Sequence, residues 1–303
     1  SRRLHTVEEL QGATQVILED YFGKKDQQAL GALAAKALLY EVCTTPKPGL
    51  VDRKNNGSHR DMDVFTFLDS TAALLPYFEE AVRLGMETRD LPPQETFRRL
   101  RQAGAAGERA MFRATGGVNT HKGAVFTLGT VCAAAGRLWT AEGFSKDLDA
   151  ALALCGEMSA QAVQKDFEAI RRKGAHTTGQ RLYLEHGLEG IRGELSRGLP
   201  AVAQIGLPTL RRRLEAGDSL EQAGVQVLLA LMAQVVDTNL IARGGLEGQQ
   251  WAMEQTKNLP QGRAATRQET EELDRALIER NLSPGGCADL LAITYFLEFL
   301  SRM

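Results

Sequence analysis

Cysteine is scarce in this chain and never paired in sequence. Cys43, Cys132, Cys155 and Cys287 stand alone among 303 residues, with no C-x-x-C spacing, so neither a zinc knuckle nor a dithiol redox centre is indicated. Cys132 and Cys155 lie among Ala and Leu, where a free thiol packs as a small apolar side chain, and the expected compartment is a reducing cytoplasm. An excess of charge is also missing. The net charge is -2 and the pI is about 6.3, which leaves no basic footprint for a nucleic acid. No apolar run reaches the roughly 18 residues that a membrane span needs. The opening SRRLHTVEELQG lacks the apolar centre of a secretory signal. Period-two alternation is hard to find. Asn56-Gly57 has no strand-like flanks, so it marks no hairpin. No internal repeat is evident, which argues against a solenoid.

What is abundant is Leu and Ala at helical spacing. Residues 29–43 and 63–85 fit helices, with Pro76 expected to kink the second. The Pro92-Pro93 pair suits a helix first turn before residues 94–112. Residues 123–139 are apolar on nearly all sides, as expected of a buried central helix. Asp218-Ser219 offers a cap for a helix reaching Val236, and Ala288–Met303 closes the chain. The expected fold is all-α, a single compact multi-helix bundle with buried central helices. One all-helical domain over residues 1–303 is expected, with 1–25 as a loosely attached N-terminal segment. Residues 173–206, rich in glycine, read as short pieces.

Four polar stretches stand out at helix ends. The first is TPKPGLVDRKNNGSHRDMD, residues 45–63. As plain structure it is a solvated loop with Asp61 as the cap of the next helix. Yet cations able to hold phosphate stand within a few residues of carboxylates able to hold a metal. The second is ATGGVNTHKGAVF, residues 114–126. Gly116 and Lys122 have the separation of the Walker pattern. However, His121 stands where the second Gly belongs, Gly123 replaces the hydroxyl, and a helix rather than a strand precedes. It is not a P-loop. Gly116 and Gly117 can still bring backbone close to a ligand, Asn119 and Thr120 can cap, and the helix start offers free N–H groups to an anion. His121 and Lys122 in that first turn oppose the helix dipole, a hint that something negative belongs there.

The third stretch is DTNLIARGG, residues 237–245. Asp237 is expected at the C-terminus of a long apolar helix, where a carboxylate is unfavourable. That placement points to metal or sugar binding, and a Gly-terminated polar cap is the alternative. The fourth is NLSPGGCADLLAITYF, residues 281–296. Ser283-Pro284 makes a good helix start. Gly285 and Gly286 cost stability there, about 1 kcal/mol each against Ala, unless backbone must approach a ligand. Asp289 is a lone charge in an apolar helix, either a satisfied buried carboxyl or a metal ligand. His176, Lys165 and Arg171 carry little weight, and His5 and His186 read as surface residues.

Taken in order, these four stretches resemble the triphosphoribosyl-dephospho-CoA synthase family, the subtype serving citrate lyase more than the malonate decarboxylase relative. The resemblance implies that ATP and 3'-dephospho-CoA are the substrates. Adenine leaves C1 of the ATP ribose and the 2'-hydroxyl of dephospho-CoA takes its place. The triphosphate is retained, giving 2'-(5''-triphosphoribosyl)-3'-dephospho-CoA, precursor of the citrate lyase acyl-carrier prosthetic group.

Such chemistry needs a carboxylate near the oxocarbenium-like C1, a base and an acid, and cations with Mg²⁺ for the triphosphate. The expected phosphate contacts are Lys47, Arg53, Lys122 and Arg243. Asn56, Gly116, Gly117, Asn119, Thr120, Asn239, Ser283, Gly285 and Gly286 complete the nucleotide-binding set. Asp61, Asp63, Asp237 and Asp289 are the metal candidates. His59 and His121 are candidates for proton transfer or phosphate contact and, with Asp61 and Asp237, form the expected catalytic set. A homodimer and an indirect link to the citrate lyase acyl carrier protein are expected, without nucleic acid or membrane. A magnesium-dependent N-ribosyl hydrolase is the rival enzyme, and a helical scaffold without catalysis the rival outside enzymes.

Overall fold

The computed structural model describes residues 7–260 and 262–303. His5 lies outside the described residues. Among them there are twelve α-helices and no strand beyond one isolated bridge between Thr140 and Gly143. The helices are α1 (Val7–Cys43), α2 (Val64–Glu87), α3 (Pro93–Ala114), α4 (Lys122–Leu138), α5 (Leu148–Lys173), α6 (Thr178–His186), α7 (Gly190–Ser196), α8 (Leu207–Glu215), α9 (Leu220–Met232), α10 (Thr238–Lys257), α11 (Arg267–Glu279) and α12 (Gly285–Ser301). A π-helical turn, Val202–Gly206, leads into α8. The all-α expectation holds, and residues 173–206 do break into short pieces.

Local chemistry sets several of the helix starts. Asp63, Thr177, Ser219 and Thr266 each close a capping box, the side chain taking an N3 amide while the N3 side chain returns to the cap. These reciprocal bonds satisfy donors that would otherwise be orphaned. Asp63, not Asp61, is therefore the cap of α2. The helix runs through Pro76.

The core is built around α4 and α12, which bury most of their length. Helix α4 packs on α2 with backbones almost touching. A Cβ on Gly136 would lie 2.3 Å from the Val82 carbonyl, and one on Gly85 would lie 2.1 Å from that of Ala133. Tyr77 spans the same interface, its hydroxyl donating to the Val125 carbonyl at 2.7 Å. This tight pairing fixes the start of α4 relative to the face of α2. Helix α1 lies across both α2 and α12, so its C-terminal end and the loop at 44–63 arrive beside the start of α12.

Candidate functional site

A single cleft of about 1160 Å³ opens where these helix ends meet. That exceeds the usual few hundred to 1,000 Å³ of a site for one small ligand. Residues from the first turns of three helices line it: Lys122 and Gly123 of α4, Thr238 and Asn239 of α10, and Gly285 and Gly286 of α12. Asn119 engages the Lys122 amide and Asp237 those of Asn239 and Gly286, while the dipoles of the three helices still favour an anion there. Lys47, His59, Asp61, Asn119, Thr120 and His121 also line the cleft, as do Asp237, Arg243, Ser283 and Asp289. Four segments far apart in sequence thus share one space.

Five expected residues do not line it. Arg53 turns outward, its side chain 54% exposed and paired with Glu221. Asn56 is exposed. Asp63 spends its carboxylate on Thr66 in the α2 cap. Gly116 and Gly117 have positive φ and empty surroundings, and Gly117 N–H donates to the Phe112 carbonyl at 2.8 Å. Their freedom turns the chain out of α3 instead of bringing backbone to a ligand.

Asp237 also differs from expectation. Helix α9 stops at Met232, four residues earlier than the apolar run implies, and Asp237 is the N-cap of α10. Its position is electrostatically favourable, not strained. One oxygen accepts Asn239 N–H at 2.8 Å and the other Cys287 N–H at 2.9 Å. Gln249 takes the Asp237 amide at 2.9 Å. Gly286 is what permits this, since a Cβ there would lie 2.9 Å from Asp237 Oδ1. Burial still raises the Asp237 carboxyl above the usual range, the backbone bonds opposing the shift. The glycine pair of α12 thus serves close packing on Asp237 and Asn239. The pair Gly244-Gly245 interrupts α10: two helical segments meet in a kink at Gly245, whose φ of 67 and ψ of -173 are not helical.

Asp289 has the opposite character. It is only partly exposed, and among the described residues it has no hydrogen bond or ion pair. Burial, reinforced by the nearby Glu41 and Asp237, pushes its carboxyl well above the usual range. Gly123 leaves it room, because a Cβ there would lie 2.1 Å from Oδ2. Such a carboxylate, placed at three helix starts, suits a base or a partner for positive charge.

The cations are arranged unevenly. Lys47 is 1% exposed and its ammonium pairs with Glu41. An ammonium has three donors, so two remain for a ligand. Burial raises the Glu41 carboxyl, with Lys47 opposing. Lys122 is half exposed and lies 3.2 Å from Glu108, and Asn119 Oδ1 accepts its backbone N–H at 3.2 Å. Arg243 is a strut. It donates to the Ser58 carbonyl at 3.1 Å, to Asn281 Oδ1 at 2.9 Å and to His59 Nδ1 at 3.0 Å. With Nδ1 accepting, His59 turns its Nε2–H to Ser283 Oγ, 2.9 Å away. Burial and Arg243 lower its pKa to about 4. Both ring nitrogens are engaged, so His59 is a neutral link between two loops and has no free nitrogen for proton transfer.

His121 is 3% exposed and sits at the entry to α4. Burial, with Lys47 adding to it, lowers its pKa to about 3. A neutral ring removes the dipole conflict expected there, leaving Lys122 as the cation of that first turn.

Three participants escaped sequence reading: Glu41, Ser70 and Glu108. Glu41 had a signal, a lone charge in the apolar run ALLYEVC just before the first polar loop. Ser70 had a weaker one, lying on the same stripe as Leu74, Tyr77, Phe78 and Ala81, all buried.

Among the described residues no three His, Cys, Asp or Glu side chains form a ready ion cage. Magnesium characteristically takes one or two carboxylates plus substrate phosphates. Asp61, exposed on the cleft wall, fits that part. Asp63 and Asp237 are already engaged as caps.

A family model described as ATP:dephospho-CoA triphosphoribosyl transferase matches residues 27–303. A Pectobacterium atrosepticum protein named 2-(5''-triphosphoribosyl)-3'-dephosphocoenzyme-A synthase is 45% identical over 267 residues, covering 87% of this chain and 86% of its own. An Albidiferax ferrireducens protein named "Probable 2-(5''-triphosphoribosyl)-3'-dephosphocoenzyme-A synthase" is 43% identical over 284 residues, 91% of this chain and 92% of its own. A Streptococcus mutans protein with that same name is 37% identical over 297 residues, 92% and 99%.

Proposed function

This chain belongs to the ATP:dephospho-CoA triphosphoribosyl transferase family, and we propose that its central cleft performs that transfer as one catalytic unit. The triphosphoribosyl group of ATP moves to the 2'-hydroxyl of 3'-dephospho-CoA, adenine departs, and the product is the precursor of the citrate lyase prosthetic group. The observation that carries the assignment of roles is Asp289: a carboxyl without hydrogen-bond or ion-pair partners among the described residues, of raised pKa, at the junction of three helix starts.

The chemistry follows from that placement. The retained triphosphate lies in the positive field of the α4, α10 and α12 starts, with Lys47 and Lys122 as its side-chain cations. Magnesium, when bound with the nucleotide, neutralises phosphate charge, and Asp61 would hold it. As the bond from C1 to adenine lengthens, Asp289 faces the positive charge on the ribose. It also takes the proton of the attacking hydroxyl, a task suited to a carboxyl whose burial raises its proton affinity, and that proton balances the one adenine takes up from solvent as it leaves. Asp237, His59 and Arg243 hold the loops in place. The mixture of Phe67, Phe97, Phe126 and Leu100 along the same cleft supplies apolar surface for a base or the pantetheine arm.

The expected setting is cytoplasmic, since unpaired cysteines suit a reducing compartment and no described helix is long and apolar enough to cross a membrane. A homodimer and onward delivery of the product to the citrate lyase acyl carrier protein belong to this reading.

The experiment is mass spectrometry after incubation with ATP, magnesium and 3'-dephospho-CoA. Adenine together with a CoA species heavier by one triphosphoribosyl group supports the transfer. Adenine with unmodified dephospho-CoA identifies a hydrolase instead.

A further inference from the structure

One polar group in the cleft wall is left over by the roles above. His121 Nε2 is buried and has no hydrogen-bond partner among the described residues. The other ring nitrogen, Nδ1, lies 2.7 Å from Ser70 Oγ. Ser70 Oγ in turn accepts the Thr120 hydroxyl proton at 2.7 Å. A serine hydroxyl has one proton to give. With Thr120 donating to it, Ser70 sends that proton to Nδ1, and the imidazole hydrogen resides on Nε2.

The ring is also fixed in orientation. Phe67 meets it edge-on, centroids 5.0 Å apart. Phe67 and Ser70 are three residues apart on α2 and so share a face. The His121 backbone N–H donates to Met111 Sδ at 3.3 Å. Ser70 is fully buried. A buried donor held so firmly and left unanswered calls for a partner, and the cleft that the ring lines is where one can enter.

We propose that Ser70 is a positioning residue that sets His121 in its Nε2–H form, and that His121 donates this hydrogen bond to an acceptor oxygen of the bound nucleoside triphosphate. The proposal rests on the reading of the cleft as a nucleotide site. It narrows His121 to contact, because a nitrogen already carrying its proton cannot accept one from the attacking hydroxyl. The ring stays neutral and acts as an oriented dipole, with no net proton transferred. The low His121 pKa agrees with this. Proton acceptance remains with Asp289.

The test is NMR of the full chain with ¹⁵N-labelled histidine, which gives only five rings to assign. The wild type is expected to show His121 protonated on Nε2, and ATP added alone is expected to shift that N–H. Ser70→Ala is expected to lose the single tautomer and to lower kcat on the order of 10-fold, with KM for dephospho-CoA unchanged. Ser70→Thr, which keeps the hydroxyl, is expected to recover the tautomer. Should Ser70→Ala fail to fold, the wild-type spectrum still decides the tautomer, and Thr120→Val, which leaves Ser70 free to donate, is expected to retain it. A wild-type ring protonated on Nδ1, an Nε2–H unmoved by ATP, or a Ser70→Ala enzyme with wild-type kcat would each overturn the proposal. An ATP-dependent shift without any transfer product would sustain the His121 contact while sinking the transferase reading, so the two failures are distinguishable.

Discussion

Asp237 and Cys287, fifty positions apart, are joined by a bond of 2.9 Å from the Cys287 amide to the aspartate. The same carboxylate caps α10 through Asn239, so one side chain closes the first turns of two helices. Asp237→Ala is therefore expected to destabilise the protein by roughly 2–4 kcal/mol, combining a lost N-cap with a buried amide left unpaired. Denaturant unfolding without nucleotide or magnesium checks this. An unchanged midpoint would mean that the carboxylate matters only when ligand is present.

Asp289 is predicted to behave in the reverse way. Its folded pKa is raised, so between the ordinary aspartate value and the folded value the native state holds a proton that the unfolded chain has released. Stability from this group is complete below the unfolded pKa and is lost as pH rises through the folded one. Asparagine has no such dependence. Asp289→Asn should therefore unfold later than wild type at neutral pH, with the gap closing in acid, while transfer is lost. Midpoints over a pH series, with the mass assay alongside, provide the measurement.

The Lys47–Glu41 pair predicts a non-additive outcome. Both side chains are buried, so Lys47→Met leaves a carboxylate unpaired inside the protein, at a cost of about 3–5 kcal/mol. Glu41→Leu combined with Lys47→Met should recover most of that stability. Nucleotide affinity should stay low in both, because the ammonium is absent from both. A double-mutant cycle in stability and in ATP binding separates the two effects.

Lys122 separates affinity from stability more simply. Its ion pair with Glu108 is half exposed and worth at most about 1 kcal/mol. Lys122→Ala should leave the melting temperature nearly unchanged and weaken ATP roughly 10-fold or more, as expected for a lost charge-assisted bond. Calorimetric titration with ATP alone is the check.

The helices were legible because apolar residues at a 3.6 period are a local signal, and all four polar stretches come together because helix ends are where backbone amides stay free. Boundaries were less legible. AQVV, residues 233–236, continues the apolar run of α9 in sequence, yet the helix has already stopped, and this turned Asp237 from a cap into an apparent C-terminal charge. Asp61 and Asp63 could not be told apart as caps without the Thr66 hydroxyl that completes the box. Arg53 and Lys47, six positions apart in one loop, point to solvent and to the interior, a distinction made by Glu221 and Glu41 from other elements. Ser70 and Glu41 lie within helix bodies, and only tertiary packing brings Glu41 to the cleft and Ser70 against His121.

Three helix starts on one cleft have a further effect. Peptide groups do not titrate in the range where proteins survive, so the positive field they project is permanent: acid, alkali and side-chain replacement in the cleft leave its source intact. Asp237 consumes part of that field at two of the starts, and Asp289 opposes it without consuming any. In the proposed assignment the main chain thus adds a constant background to the attraction that Lys47 and Lys122 supply, one that no replacement of either lysine removes.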